Sequence, residues 1–244
     1  MTVLRSVLFN TLACAWTVFL ALVYMPLYFA PRRVLHAAVR WWIHTLFFLQ
    51  RGLLRLDFEF RGREHLPAGG YIIASAHQSA WDTIAFYALL EDPSFVLKKE
   101  LYRVPLFGAY AHKCGMIAID RSGGVGAVRQ MLRAVGERLT EGRPVIIFPG
   151  GTRSRPDEVV ALKSGINALY RHCGVPVVPV SLNSGVYWGR RSFVKKPGTI
   201  VAEFGPPILP GLSADAFDER LSRVIHDGNR RLVAEARKAL GEAG

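Results

Sequence analysis

Cysteine is scarce in this chain: three in 244 residues, at Cys14, Cys114 and Cys173. The number is odd and no pair has CxxC spacing, which argues against a disulfide framework and against a zinc site. Reduced, buried thiols facing a cytosolic environment are the reading that remains. Acidic residues are also few, 19 Asp and Glu against 31 Lys and Arg, for a net charge of +12. Such an excess favours an anionic partner, whether nucleic acid, an anionic membrane surface or a phosphorylated substrate. No nucleic-acid recognition motif accompanies the charge, so no nucleic-acid partner is expected. There is no G-x-S-x-G elbow to present a nucleophilic serine. Internal repeats and low-complexity linkers are absent. Finally, no charged residue occurs between Ser6 and Ala30.

That last absence is the first thing the chain offers. The run from 6 to 30 is long enough to cross a bilayer, which takes about 20 apolar residues. A signal peptide would want small residues near its end, where Tyr24, Pro26, Tyr28 and Phe29 stand instead. A buried core helix is the third reading, and a charge-free run of this length exceeds what core helices usually carry. A second apolar segment follows Arg32 and Arg33 and contains Trp41 and Trp42, residues that favour the membrane interface. One true span fits the pattern. So does a two-helix anchor, with the first helix inserted and the second at headgroup level. In both cases the arginines after residue 31 outnumber Arg5 and place the remainder on the cytoplasmic side. Residues 1–52 are therefore expected to anchor the protein in the cytoplasmic membrane, and 53–244 to form one further domain.

Beyond residue 52 the texture becomes that of an α/β domain. Strands are expected at 54–62, 70–76, 116–120, 143–151, 175–185 and 198–205. Helices are expected at 81–90 and 126–142, with an amphipathic tail from Ser213 to Leu240 broken or kinked near Gly228. The result is a mostly buried sheet flanked by helices. In such sheets, sites form in loops beyond the strand ends. His77 and the loop 149–154 both follow apolar strands, so one site can contain both.

His77 stands five residues before Asp82, at the passage from strand to helix. Five helical residues rotate a side chain by about 140°, so the two would not share a face within one helix. With His77 in the preceding loop and Asp82 in the first turn, they can meet. A carboxylate on one ring nitrogen fixes the tautomer and raises the basicity of the other. The plainer reading is a cap: Ser79-Ala80-Trp81-Asp82 is an S-x-x-D pattern, which stabilises a helix start without any chemistry. A metal is poorly supported, because no further cluster of ligating residues lies nearby. In "FPGGTRSRP", Gly150 and Gly151 allow close backbone approach, Thr152 offers a hydroxyl and Arg153 a fork of donors, a set suited to phosphate. An ordinary Gly-rich turn is the alternative. A mixed aromatic and basic stretch, Val186 to Gly198, could dock anionic lipid headgroups through Arg190, Arg191, Lys195 and Lys196, or the acidic surface of an acyl carrier protein; a solvated basic loop is the plainer alternative.

Four blocks in order resemble the glycerolipid acyltransferase family, most closely its bacterial 1-acylglycerol-3-phosphate members. His77 and Asp82 match the H-x4-D block. Lys98, Leu101, Pro105, Gly108, Gly115 and Ile119-Asp120-Arg121 match the second. Phe148 to Ser154 match F-P-E-G-T-R-S at all but one position, and Val175 to Val180 match the apolar fourth. The resemblance runs from about Phe60 to Pro207. It implies that His77, oriented by Asp82, acts as general base on the free hydroxyl of a lysophospholipid, which attacks a thioester. It implies that Lys98, Arg121 and Arg153 hold the acceptor's phosphate beside Gly150, Gly151 and Thr152. No metal or cofactor is implied; acyl-CoA or acyl-carrier protein is the co-substrate, and membrane lipids are partners. The product would be phosphatidic acid. Gly150 departs from the family's usual glutamate. This opens the same chemistry on another lysolipid, such as a lyso-ornithine lipid, or a weakened lipid-binding relative.

Overall fold

A computed structural model describes residues 1–120, 123–156 and 158–242. Among these described residues seven strands form one mixed sheet: β1 (Leu56–Arg61), β2 (Ile72–Ser75), β3 (Ser94–Lys98), β4 (Ile117–Ile119), β5 (Val145–Ile147), β6 (Val177–Leu182) and β7 (Gly198–Phe204). Their order is β1-β7-β6-β2-β5-β3-β4. Every pairing is parallel except β6 with β7. The central strands are apolar on both faces: β2, β5 and β6 are buried at every position. This is the run-type pattern of strands covered on two sides rather than the alternation of a half-exposed sheet. β1, at the edge, alternates more and carries Asp57 and Glu59 outward.

Two apolar layers cover the faces. On one, α2 (Arg32–Leu49) and α3 (Trp81–Leu89) pack with Phe47, Trp81, Phe86 and Phe204. On the other, α5 (Gly124–Thr140), α6 (Ser164–Cys173) and α8 (Ala214–Ala239) contribute Met131, Val135, Leu169, Phe217 and Leu221. Two short helices, α4 (Phe107–Lys113) and α7 (Ser184–Tyr187), sit in the connections.

The apolar N-terminus forms α1 (Thr2–Val23), which turns back through a 3-10 turn at Met25–Tyr28 into α2. Its mean hydropathy reaches 1.9, and among the described residues it is the one helix long and apolar enough to cross a membrane. The two helices form a hairpin tied by Trp16 Nε1 to Thr45 Oγ1 (2.8 Å) and Trp42 Nε1 to Thr17 Oγ1 (3.1 Å). The second helix also has a core role that its composition did not announce. Leu35, Ile43, Leu46 and Phe47 are buried, and Phe47 and Ile43 belong to the same core as Phe86 and Phe204. The aliphatic stripe of α2 fits the aromatic face over β1, so the helix is recruited into the domain.

The tail also differs from expectation. α8 runs without a break through Gly228. A Cβ there would stand 2.2 Å from Ser181 Oγ on β6. The glycine lets helix and sheet approach closely; it does not interrupt the helix. Strand β3 and helices α4 and α6 were not marked by the periodicity.

Candidate active site

Because β2, β5, β3 and β4 are mutually parallel, their carboxyl ends lie along one edge. That edge carries His77 after β2, Pro149 after β5, Lys98 at the end of β3 and Asp120 after β4. Crossover connections put loops there, and the loops carry the side chains.

His77 and Asp82 do meet. The ring Nδ1 stands 2.9 Å from Asp82 Oδ2, and Asp82 is fully buried in the first turn of α3. The same oxygen accepts the backbone N–H groups of Gln78 (2.8 Å) and Ser79 (2.9 Å). Ser79 Oγ in turn accepts from Trp81 N at 3.1 Å. So the carboxylate caps the helix and faces the histidine at once; the two readings of the motif are not exclusive. An ionised carboxylate can only accept, so Nδ1 donates to it, and in the neutral ring Nε2 is then the acceptor. The imidazole lies flat on Phe148, with ring centroids 4.1 Å apart and planes 20° off parallel.

The glycine-rich loop is fastened to this histidine. Ser154 N donates to His77 O at 2.8 Å. Gly151 takes φ +75°, a left-handed conformation that side chains with a Cβ rarely adopt. A small pocket of about 30 Å³ is lined by His77, Gly150, Thr152, Ser154, Glu158 and Asn229, among others. Gly150 and Thr152 therefore share one cavity with His77. Arg153 follows directly, and its carbonyl accepts from Arg190 Nη1 at 2.9 Å. Lys98 ends β3, two strands over from β2. Neighbouring Lys99 pairs with Asp120, which puts the second block's acid on the same edge. Arg121 lies outside the described residues.

Three supporting residues escaped the sequence reading. Gln78, almost fully buried, donates to Leu182 O and accepts from Gly185 N, both at 2.9 Å, and ties the histidine loop to β6 and α7. Asn229 of α8 lines the pocket and holds Leu182 N through Oδ1 at 2.8 Å. Lys163 lies over Gly151, its Cε 2.8 Å from where a Cβ would be. None belongs to a recognisable spacing: Asn229 and Lys163 come from elsewhere in the chain, and Gln78, though next to His77, finds its partners more than a hundred residues on. The basic stretch divides. Lys195 is buried, bonded to Asn10 Oδ1 (2.6 Å) and set over Trp188, and Lys196 pairs with Glu242. Arg190 and Arg191 are exposed.

Comparison with known proteins agrees with this layout. The chain matches the Acyltransferase family model over residues 57–183, slightly more than half its length. A 1-acyl-sn-glycerol-3-phosphate acyltransferase from Pseudomonas aeruginosa is 38% identical over 165 residues, covering 68% of this chain and 64% of that protein. One from Limnanthes douglasii is 30% identical over 191 residues, covering 76% and 66% respectively. The chain thus spans just under two thirds of these two relatives' own lengths. The crystal structure of the 1-acyl-sn-glycerophosphate (LPA) acyltransferase PlsC from Thermotoga maritima superposes with a TM-score of 0.77 at 21% identity, covering 95% of both chains, and so shares the fold. With the family model running from β1 through β6 and over both loops of the site, this chain belongs to the acyltransferase family.

Proposed function

We propose that the protein transfers a fatty acyl group from a thioester to the free hydroxyl of 1-acylglycerol-3-phosphate, giving phosphatidic acid. The observation that carries this reading is the His77–Asp82 contact in a pocket shared with the Gly150–Ser154 loop. His77 Nε2 takes the hydroxyl proton as the oxygen bonds to the thioester carbonyl carbon. The carbon–sulfur bond then breaks, and the proton leaves with the thiol. No acyl-enzyme is required. The acceptor's phosphate is assigned to Lys98, Arg121 and Arg153, with Gly151 and Thr152 supplying donors close to the backbone. The named relatives in Pseudomonas and Limnanthes support the choice of acceptor.

Gly150 bears on that choice. A Cβ there would meet Val160 Cγ1 at 2.6 Å, so the space of the family's glutamate side chain is taken by Val160. Glu158 brings a carboxylate to the same pocket from eight residues on. The same chemistry on another lysolipid is the second reading, and this filled position is what favours it.

Within residues 1–52 membrane attachment falls to α1, because α2 packs into the core of the acyltransferase domain that continues over 53–244. α1 is held along the domain near its middle by Asn10 Nδ2 to Phe193 O (3.1 Å) and near its C-terminal end by Tyr110 OH to Ala21 O (2.5 Å). Its other face, with Leu4, Leu8, Val18, Phe19 and Leu22, is exposed. The helix then rests in the cytoplasmic leaflet of the inner membrane, where acceptor and product reside.

The test is acyl transfer by the full chain in bicelles, with lysophosphatidic acid and other lysolipids as acceptors. His77→Ala lowers kcat by about 10²–10⁴-fold if the histidine is the base. Gly150→Glu shifts preference towards lysophosphatidic acid if Val160 yields. An unchanged rate in His77→Ala refutes the mechanism.

A further inference from the structure

Helix α3 carries Asp82 and Phe86 four residues apart, a spacing that puts both on one helical face. Asp82 reaches the edge of the His77 ring at Nδ1. Phe86 reaches Phe148, with ring centroids 6.5 Å apart and planes at 44°, and Phe148 lies flat against the His77 ring at 4.1 Å and 20°. Phe95 of β3 also backs Phe148, at 6.5 Å and 30°. Phe86 and Phe95 are both buried. The imidazole is therefore held in two ways, at an edge by a carboxylate and on a face by an aromatic ring.

The backbone fixes this stack from both partners. Phe148 opens a four-residue turn, in which Gly151 N donates to Phe148 O at 2.8 Å and Pro149 fills the second position, where its fixed φ fits. At the far end of the same loop, Ser154 N and Oγ donate to His77 O at 2.8 and 3.3 Å. The torsion that turns a histidine ring about its Cβ–Cγ bond is soft, so a bond at Nδ1 alone leaves the ring's tilt to its packing. A second stacked histidine shows what sets this one apart. His36 lies parallel to Tyr87 at 5.1 Å, but both of its nitrogens are engaged, Nδ1 with Tyr87 OH (2.6 Å) and Nε2 with Asp92 Oδ1 (2.7 Å). Among the described residues His77 Nε2 has no such partner, and the histidine lines the pocket.

When Nε2 takes the hydroxyl proton, the positive charge spreads over both ring nitrogens, and so over a ring whose face rests on Phe148. The His77 side chain is only 16% exposed, which leaves little water to solvate that cation. An aliphatic neighbour would exclude water and return nothing. The face of a phenyl ring is negative and attracts a cation lying within about 6 Å of its centroid. We infer that Phe148 is a positioning residue acting through His77: its π face stabilises the imidazolium as it forms, as the counterpart of Asp82 at the ring's edge. This role rests on the acyl-transfer reading above, in which His77 is the base. The neutral ring gains little from the same face, so the effect falls on kcat rather than on substrate binding.

The experiment grades the charge of the face while keeping its shape. Phe148 is replaced in the full chain by mono-, di- and trifluorophenylalanine, which draw charge from the face step by step. Phe148→Leu removes the face, and Phe148→Tyr keeps it. Transfer is assayed in bicelles with acyl-coenzyme A or acyl-carrier protein as donor and lysophosphatidic acid or another lysolipid as acceptor, beside wild type and His77→Ala. Thermal melts are recorded for every form. Along the fluorine series kcat should fall stepwise to about a tenth, with KM within about twofold and the melting midpoint near that of wild type. Leucine should cost at least about as much, and tyrosine should recover most of that loss. A kcat that stays flat along the series overturns the inference even if leucine lowers it, because a merely structural ring responds to shape and not to the charge of its face. With a flat series and an inactive His77→Ala, the base reading stands and Phe148 is packing alone. If wild type transfers nothing, or His77→Ala matches it, the base reading falls and takes this role with it.

Discussion

Asp82 serves three neighbours through one oxygen. Oδ2 receives two backbone N–H groups and faces His77 Nδ1, while Oδ1 is buried with no hydrogen-bond partner among the described residues. Replacing it separates the cap from the chemistry. In Asp82→Asn the amide oxygen can still accept from Gln78 N and Ser79 N, so the helix start survives. What is lost is the negative charge that stabilises the imidazolium and fixes the tautomer. The expected outcome is a fall in kcat of about 10²-fold or more with a stability loss of only about 1–2 kcal/mol, measured by steady-state transfer and by denaturant unfolding. Equal loss of activity and fold would return Asp82 to the role of a cap alone.

Among the elements, the join between α2 and the sheet is built from charge. Arg32, at the start of α2, donates to Asp92 Oδ2 at 2.6 Å, and His36 Nε2 lies 2.7 Å from Oδ1. Arg143, nearly fully buried, reaches Asp92 Oδ1 at 3.1 Å and bonds to Asp92 O and Cys114 O. Burial acts to raise the Asp92 carboxyl, but His36, Arg143 and Arg32 outweigh it and hold it below its ordinary value of 3.8. A carboxyl titrating lower in the folded than in the unfolded chain gives stability that is complete above the unfolded value. That stability is lost as pH falls through the folded one. Thermal stability should therefore drop on acidification below about pH 4, the ordinary carboxylate range. Asp92→Asn should lower stability near neutrality by roughly 2 kcal/mol, less than for a fully buried pair because Asp92 keeps solvent contact. It should also flatten that acid limb, a change followed by circular dichroism melts across pH.

For the whole molecule, the question is how the domain meets a bilayer. α1 presents Leu8 and Phe19 outward while Phe9 packs edge-on against Trp188 on the domain side. Leu8→Glu with Phe19→Glu leaves the inner contacts in place and puts two charges where lipid is expected. Each lost apolar side chain removes about 1.5–3 kcal/mol of burial. Flotation with anionic vesicles should lose the protein from the lipid fraction, while transfer to a detergent-dispersed acceptor persists. Undiminished flotation would place the membrane contact elsewhere.

Much of this protein is written locally. The continuous apolar runs at 72–75, 145–147 and 177–182 mark buried strands because a strand covered on both faces needs no polar alternation. His77 and Asp82 were legible as a pair because both sit within one strand-to-helix turn, where five residues of chain fix their geometry. The same holds for the Gly150–Arg153 loop. Tertiary structure decided what lies far apart in sequence. It brought Gln78 to Gly185 and Asn229 to Leu182, drew Lys195 into contact with Asn10, and made Gly228 a point of close approach rather than a break. It also took α2 into the core. Composition and spacing report which residues prefer burial, but which surface buries them depends on the packing of elements that meet only once the sheet is assembled.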